Sequence, residues 1–482
     1  MGMWAGILLI VIVVLAIGVY SAKKTKSAGD FLTNSGSAGA VTMAAAILST
    51  VVGGSMTVGS AEMGFKEGMF GAWQSVGSSI AMILLSIIMC NFFMKARENY
   101  NITTIPGTLT HAYGKKIGIL LGITGFIGVF LSVLAQIKSF MVLLQNITAM
   151  TTIFACVATG ILFITYAAIG GMKSASAGGA VKVIGLYILL VACMVYILTH
   201  DGGWVGMVTA AAAQFENSNF MSVLSRGVGS SLGYGLSFSF GFICTQVYIQ
   251  CLLSCKNPTA ARNGCIIGCI GCLPLGVVCA IVGIYMRGNY PEIEAANALP
   301  MFISNSFPAT VTGLFMGIML LNTLTSGGGL ALSCATNIYQ DVIRPFLKNR
   351  TDKQHVTGLR LSLAAVVILG CVLTMTNAGA AIMTFVNLSA QLRACTLLVP
   401  TLFLVYYRGR KAWEAGWAAV IVGGAGDVVW YLMGNPFGFN SLYFGLLASL
   451  AAYLAANAIF AKKYQPLDMT AYGYKFVEKT VG

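Results

Sequence analysis

Of 482 residues, 57% are hydrophobic and only 9% charged, against roughly 25% charged in soluble domains. A soluble globular protein is therefore excluded. The net charge of +14 would suit a nucleic-acid binder, but the basic residues are spread along the chain between apolar runs, and no basic patch of that kind exists.

Thirteen runs are long enough to cross a bilayer as helices, which takes about 20 residues. They fall at about 4–20, 40–62, 72–94, 117–143, 149–169, 177–199, 229–251, 264–286, 309–340, 359–377, 383–406, 414–433 and 441–460. They are continuous rather than alternating in polarity, so helices are expected and a barrel is not. The expected class is an all-α polytopic membrane protein of about 13 transmembrane helices.

An odd number of spans with the N-terminus outside puts nearly all of the 28 basic residues on the inner side, from Lys23, Lys24 and Lys26 to Lys462, Lys463, Lys475 and Lys479. Lys182 stands just inside a span from that side; only Lys66, Lys138, Arg226, Arg287 and Arg393 depart. This is the positive-inside bias. It predicts a multi-pass protein of the cell (inner, cytoplasmic) membrane with its C-terminus in the cytoplasm. The run 4–20 has its lysines after the apolar core, not before it, and is expected to remain as a span rather than be cleaved.

The thirteen cysteines sit mostly within spans, where cysteine packs as a small apolar residue; even Cys265, Cys269 and Cys272, on one helical face, read this way before they read as a soft-metal site. His111, His200 and His355 are too scattered to hold a metal. Residues between spans, such as 200–228 and 341–358, are too short for a soluble domain, and no GxxxxGK[ST] phosphate loop occurs, so an ATP-driven pump is disfavoured. Neither nucleic acid nor an obligate protein partner is expected; the partners are a small-molecule solute and the lipid bilayer. With no nucleophile–base or metal constellation in the spans, an enzyme is not expected. A channel or a membrane sensor would want a symmetric pore motif or a signalling domain.

Two spans read as interrupted. The second, "AAAILSTVVGGSMTVGSAEMG", gathers Ser49, Thr50, Gly53, Gly54, Ser55 and Thr57 near its middle; the seventh, "VGSSLGYGLSFSFGFICTQVYIQ", carries Gly233, Gly235 and Gly241. Glycine-interrupted helices at matching places in two oppositely running halves point to a secondary transporter with a midplane site. The ninth span contains "NTLTSGGG", a hydroxyl pair followed by three glycines.

These segments, with "YAAIGGMKSASAGGAVKVIGLY" and "TQVYIQCLLSCKNPTAARNG", resemble in order the sodium:solute symporters, a family that includes sodium/proline, pantothenate, choline, sialic acid and sugar cotransporters. The resemblance implies a five-plus-five inverted repeat of the leucine-transporter type. Residues 1–39 would hold an extra N-terminal helix and inner loop, 40–200 the first repeat (core helices one to five), 201–406 the second (six to ten), and 407–482 two further helices and a cytoplasmic tail. It also implies a sodium site from the carbonyls of Ser49 and Val52, the carbonyl of Asn322 and the hydroxyls of Thr325 and Ser326, with Na+ as the only metal and no organic cofactor. Hydroxyls and helix-break carbonyls suit a hard cation.

The chain departs from the family pattern at three places. Ser55 and Met56 stand where sugar-transporting members place acidic and amide residues, which disfavours sugar. Gly179 stands where many members carry an aspartate. Lys182, one turn deeper, either snorkels to the interface, the favoured expectation, or places its ammonium in the sodium position, as in some proton-coupled relatives of the wider fold. Substrate-binding candidates are Gly53, Gly54, Ser55, Met56, Gln74, Ser75, Gln136, Lys138, Phe242, Gln246 and Arg393. Arg393 either pairs with Asp427 or faces the substrate. The expected function is sodium-coupled symport of a small carboxylate or amino-acid-like solute by alternating access. The alternative is a proton-coupled or uncoupled transporter that uses Lys182 in place of sodium.

Overall fold

The structure, a computed structural model, describes residues 37–100, 104–347, 351–376 and 381–466, without the side chains of 111, 115, 116, 168–181, 345 and 352. The expected span 4–20, Lys23, Lys24, Lys26, Lys475 and Lys479, the side chain of Lys173 and the surroundings of Gly179 lie outside the described residues.

The described chain is helical almost throughout. The longer elements are α1 (Ala40–Val51), α2 (Ser60–Glu67), α3 (Trp73–Leu84), α4 (Lys115–Thr148), α5 (Thr152–Thr199), α6 (Val228–Ile243) and α7 (Gln246–Leu253). They are followed by α8 (Pro258–Asn289), α9 (Ala309–Thr336), α10 (Asp352–Thr376), α11 (Ile382–Arg393), α12 (Trp413–Leu432) and α13 (Ser441–Phe460). Among the described residues, nine helical stretches are long and apolar enough to cross a membrane, ten if the pair α6–α7, bent by 47°, is one span. The count of thirteen is not reached. One expected span is not described, α1 is a short piece, and the expected spans 149–169 and 177–199 fall within the single helix α5.

Local chemistry sets several of these boundaries. Asn257 caps α8 by accepting from the Ala260 amide (2.8 Å), with Pro258 in the first turn, where a missing N–H costs nothing. Within α8, Pro274 cannot donate to the preceding turn. Nearby carbonyls are taken from outside the helix: Tyr187 Oη donates to Gly271 O (2.6 Å) and Ser79 Oγ to Cys269 O (3.1 Å). Glu62 accepts from the Ile382 amide (3.1 Å) and so caps α11 across the fold.

Helix α9 forms the centre. In its apolar window 89% of residues are buried, against 22–33% in α10, α12, α13 and Lys182–Thr199, which place Ile, Leu and Val side chains on the lipid-facing surface. α9 packs on α4 and α5, α1 lies between α5 and α8, and α11 crosses α4 and α6. Small residues let these helices approach closely. The triple glycine follows this rule: a Cβ on Gly327 would overlap the Phe163 ring, one on Gly328 would meet Tyr166 at 3.0 Å, and one on Gly329 would meet Thr50 at 2.7 Å.

Candidate functional site

Helix α1 ends at Val51, and Val52 turns extended (φ −83°, ψ 92°). The chain resumes helical geometry at Gly54 and runs through a π turn, Ser55–Gly59, into α2. Other helices can approach this break only because residues 53 and 54 are glycines. A Cβ on Gly53 would lie 2.6 Å from Gln136 Oε1 and 2.7 Å from Ser326 Cβ, and one on Gly54 would lie 2.5 Å from Ser139 Cβ. The interruption frees backbone groups, and side chains from α4, α5 and α9 take them up. Gln136 Oε1 accepts from the Gly54 amide (2.8 Å).

The carbonyls of Ser49 and Val52 turn to Lys182. Its ammonium nitrogen donates to Ser49 O, to Val52 O (2.7 Å), to Ser326 Oγ (2.9 Å) and, at longer range, to Asn322 O (3.4 Å). Ser326 Oγ in turn lies 2.8 Å from Val52 O, 3.0 Å from Ser49 O and 2.9 Å from Asn322 O. Three carbonyls and a hydroxyl surround this one nitrogen, a set of acceptors that suits the three N–H donors of a protonated amine. Lys182 is fully buried, so the expectation that it snorkels to the interface is corrected.

Four of the five groups expected to ligate sodium, those of Ser49, Val52, Asn322 and Ser326, thus converge on one point, and that point is Lys182 Nζ. With the amine nitrogen there, the point between these oxygens is filled, and the arrangement does not also fit Na+. The fifth group is turned elsewhere: Thr325 Oγ1 donates to Asn322 O of its own helix (3.0 Å), the ordinary back-bond of a helical threonine. The Asn322 side chain ties α9 to the segment after the break by donating to Thr57 Oγ1 (3.2 Å).

Beside the break lies a small cavity of about 10 Å³. Ser55 is its hub, accepting from Gln74 Nε2 (3.1 Å) and Gln136 Nε2 (3.0 Å). Phe242 and Arg393 form the facing wall. Arg393 is buried and makes no ion pair with Asp427: among the described residues no salt bridge involves either, and the guanidinium nitrogens have no hydrogen-bond partner. The ion-pair expectation is corrected, because Asp427 projects from α12 toward Gly445 of α13.

Four other candidates point away from the cavity. Met56 packs its sulfur against Cys272 (3.7 Å). Ser75 donates to Ala72 O (2.9 Å) and faces Gly276. Gln246 accepts from the Ile105 amide (3.2 Å). Lys138 lines a separate cleft with Gln145, Asn146, Glu294 and Asn297. Three polar wall residues, Thr50, Ser132 and Tyr248, and three apolar ones, Val51, Leu330 and Val386, were not among the candidates. Ser132 stands one turn before Gln136, a spacing that could have revealed it.

The second interruption is real but displaced. α6 ends at Ile243 and α7 begins at Gln246, downstream of Gly233, Gly235 and Gly241. Those glycines serve packing: each Cβ would collide with Asn440, Trp73 or the Ala390 backbone respectively. Thr245 satisfies the break locally, donating its hydroxyl to Gly241 O (2.9 Å) and its amide to Phe242 O (3.0 Å). The two breaks therefore differ, and only the first draws a charged side chain from another helix.

The profile of the sodium:solute symporter family matches residues 31–424. The chain belongs to the sodium:solute symporter family. It is 24% identical over 460 residues to the high-affinity choline transporter 1 of Caenorhabditis elegans, covering 86% of this chain and 75% of that one. To the human high affinity choline transporter 1 it is 23% identical, with 64% of that protein's length spanned. To the sodium/proline symporter of Escherichia coli it is 20% identical over 441 residues, covering 89% and 87%. The fold matches that of a Na+-coupled sialic acid symporter with a TM-score of 0.79 at 14% identity, over 97% of this chain and 98% of that one. It also matches a nucleobase-cation-symport-1 family transporter with a TM-score of 0.58 at 16% identity, over 92% and 97%. The architecture is the leucine-transporter type, all-α and polytopic, and the family is one of membrane transporters of small solutes, typically Na+-coupled, and not of enzymes.

Proposed function

We propose that this family member carries a small organic solute by alternating access around the helix break, with the Lys182 ammonium as the resident cation where relatives are named for sodium. The observation that carries this reading is the donation from Lys182 to Ser49 O, Val52 O and Ser326 Oγ, which joins α5, α1 and α9 through one charge. A cation held there stabilises whichever arrangement brings the three helices together. Release or deprotonation of the lysine would let them part, and coupling would act through this difference in affinity between states. The cation travelling with the solute would then be a proton exchanged at Nζ, or none.

The two repeats, 40–200 and 201–406, would rock against each other, with residues 1–39 and 407–482 peripheral. The N-terminus is proposed to lie outside a cytoplasmic membrane and the C-terminus within the cytoplasm. A second reading keeps sodium coupling: the sodium/proline symporter relative supports it, and the same oxygens would receive Na+ once Lys182 withdrew.

Purified protein in liposomes decides between these readings, with uptake of radiolabelled proline, choline, pyruvate and acetate followed under an imposed sodium or proton gradient. The expected result is uptake of at least one solute that is unchanged when potassium replaces sodium. Uptake that collapses without sodium would overturn the Lys182 reading in favour of the second.

A further inference from the structure

Arg393 ends α11 at the edge of a π turn, Ala394–Leu398, and is 1% exposed. Its stem packs on Gly128, where a Cβ would meet Arg393 Cγ at 2.5 Å. Its guanidinium carbon sits 5.9 Å from the centre of the Phe242 ring. Nε, Nη1 and Nη2 are all buried without a hydrogen-bond partner. A guanidinium carries five donors in a planar fork and stays charged, and burying it without a counter-charge costs several kcal/mol, on the order of the penalty for a lone ion. No acidic side chain lines the cavity among the described residues. A second buried basic residue, Lys182, is already bonded to carbonyls of the same helix break. Among the described residues, the cavity lining and the helix break therefore hold two basic side chains and no acidic one.

The remaining walls are uncharged: Thr50, Ser55, Gln74, Ser132, Gln136 and Tyr248 are polar, and Val51, Leu330 and Val386 are apolar; Gln74 Oε1 also lacks a partner. We propose that Arg393 is the anchor for a carboxylate on the transported solute, held bidentately by the guanidinium. This rests on the reading of the chain as a transporter around that break and names the substrate class. A carboxylate supplies the missing charge and two acceptors in the geometry of the fork. A quaternary ammonium such as choline would bring another positive charge into the same space. The cavity now has room for about one water (about 10 Å³), so the solute enters as the walls part, and a short chain fits best.

The test uses full-length purified protein and thermal-shift titration with the potassium salts of acetate, propionate, pyruvate, lactate and benzoate. Each is paired with its neutral amide, and choline chloride serves as the cationic control, all with and without sodium. At least one carboxylate should stabilise the protein saturably while its amide does not. Arg393→Gln should weaken that binding at least ten-fold, and Arg393→Lys should restore part of it. Should Arg393→Gln fail to fold, phenylglyoxal modification of Arg393 in the unsubstituted protein, read by mass spectrometry, should be slowed by the carboxylate and not by the amide. Stabilisation by choline or a neutral solute that survives Arg393→Gln, or no response to any carboxylate, overturns the assignment. A sodium requirement alone would sink the Lys182 reading and leave Arg393 standing.

Discussion

Lys182→Ala should produce a protein that melts lower than the parent without sodium and recovers on adding NaCl, but not on adding choline chloride. The substitution removes the donor shared by Ser49 O and Val52 O. Ser326 has a single hydroxyl proton and can serve one of those carbonyls, so another is left buried and unpaired, at a cost of roughly 1–3 kcal/mol. What remains is two carbonyls of α1, the carbonyl of Asn322 and the hydroxyl of Ser326 around a vacated centre, a donor set suited to a hard monovalent cation. The parent protein, with its amine in place, should show the same melting temperature in either salt. A parent that is stabilised by sodium, and a variant that is not, would mean that the lysine does not stand at the cation position in solution.

Gly283→Ala should be among the most destabilising single-methyl changes in the chain. α2 and α8 cross backbone to backbone: a Cβ on Gly283 would lie 2.2 Å from Ala61 O and 2.6 Å from the Phe65 amide nitrogen, and a Cβ on Gly64 would lie 2.3 Å from Ala280 O. Main-chain atoms inside helices cannot swing aside as a side-chain end can, so the helices must separate, and the loss should be about 2–3 kcal/mol or more. α2 continues from the helix break and caps α11 through Glu62, so the displacement would also reach the site. Gly229→Ala is the matched control, since a Cβ there meets nothing within 4 Å and alanine favours helix. Equal melting temperatures for the two variants would contradict the tight crossing.

The break at Val52–Gly53 was legible because two adjacent glycines among hydroxyls in a bilayer-length run have few other uses. The second break was legible in existence but not in place. Gly233, Gly235 and Gly241 drew attention to themselves through packing needs that only the neighbouring helices reveal, while the true break at Cys244–Thr245 is made by a threonine bonding its own turn. Charges at membrane depth were equally visible, but not their directions. Lys182 can reach either the interface or the break, and helix facing decides. Arg393 and Asp427 share a depth on separate helices, yet one faces the cavity and the other faces α13. Neighbouring positions on one helix diverge by about 100°, which is why Ser55 joins the polar hub while Met56 turns to Cys272.

Equilibrium binding of radioactive sodium to the purified, unsubstituted protein tests the role of Lys182 most directly. With the ammonium held by Ser49 O, Val52 O and Ser326 Oγ, no saturable sodium binding that depends on Ser326 is expected, and Lys182→Ala should create it. Saturable binding to the unsubstituted protein that disappears in Ser326→Ala would contradict the account.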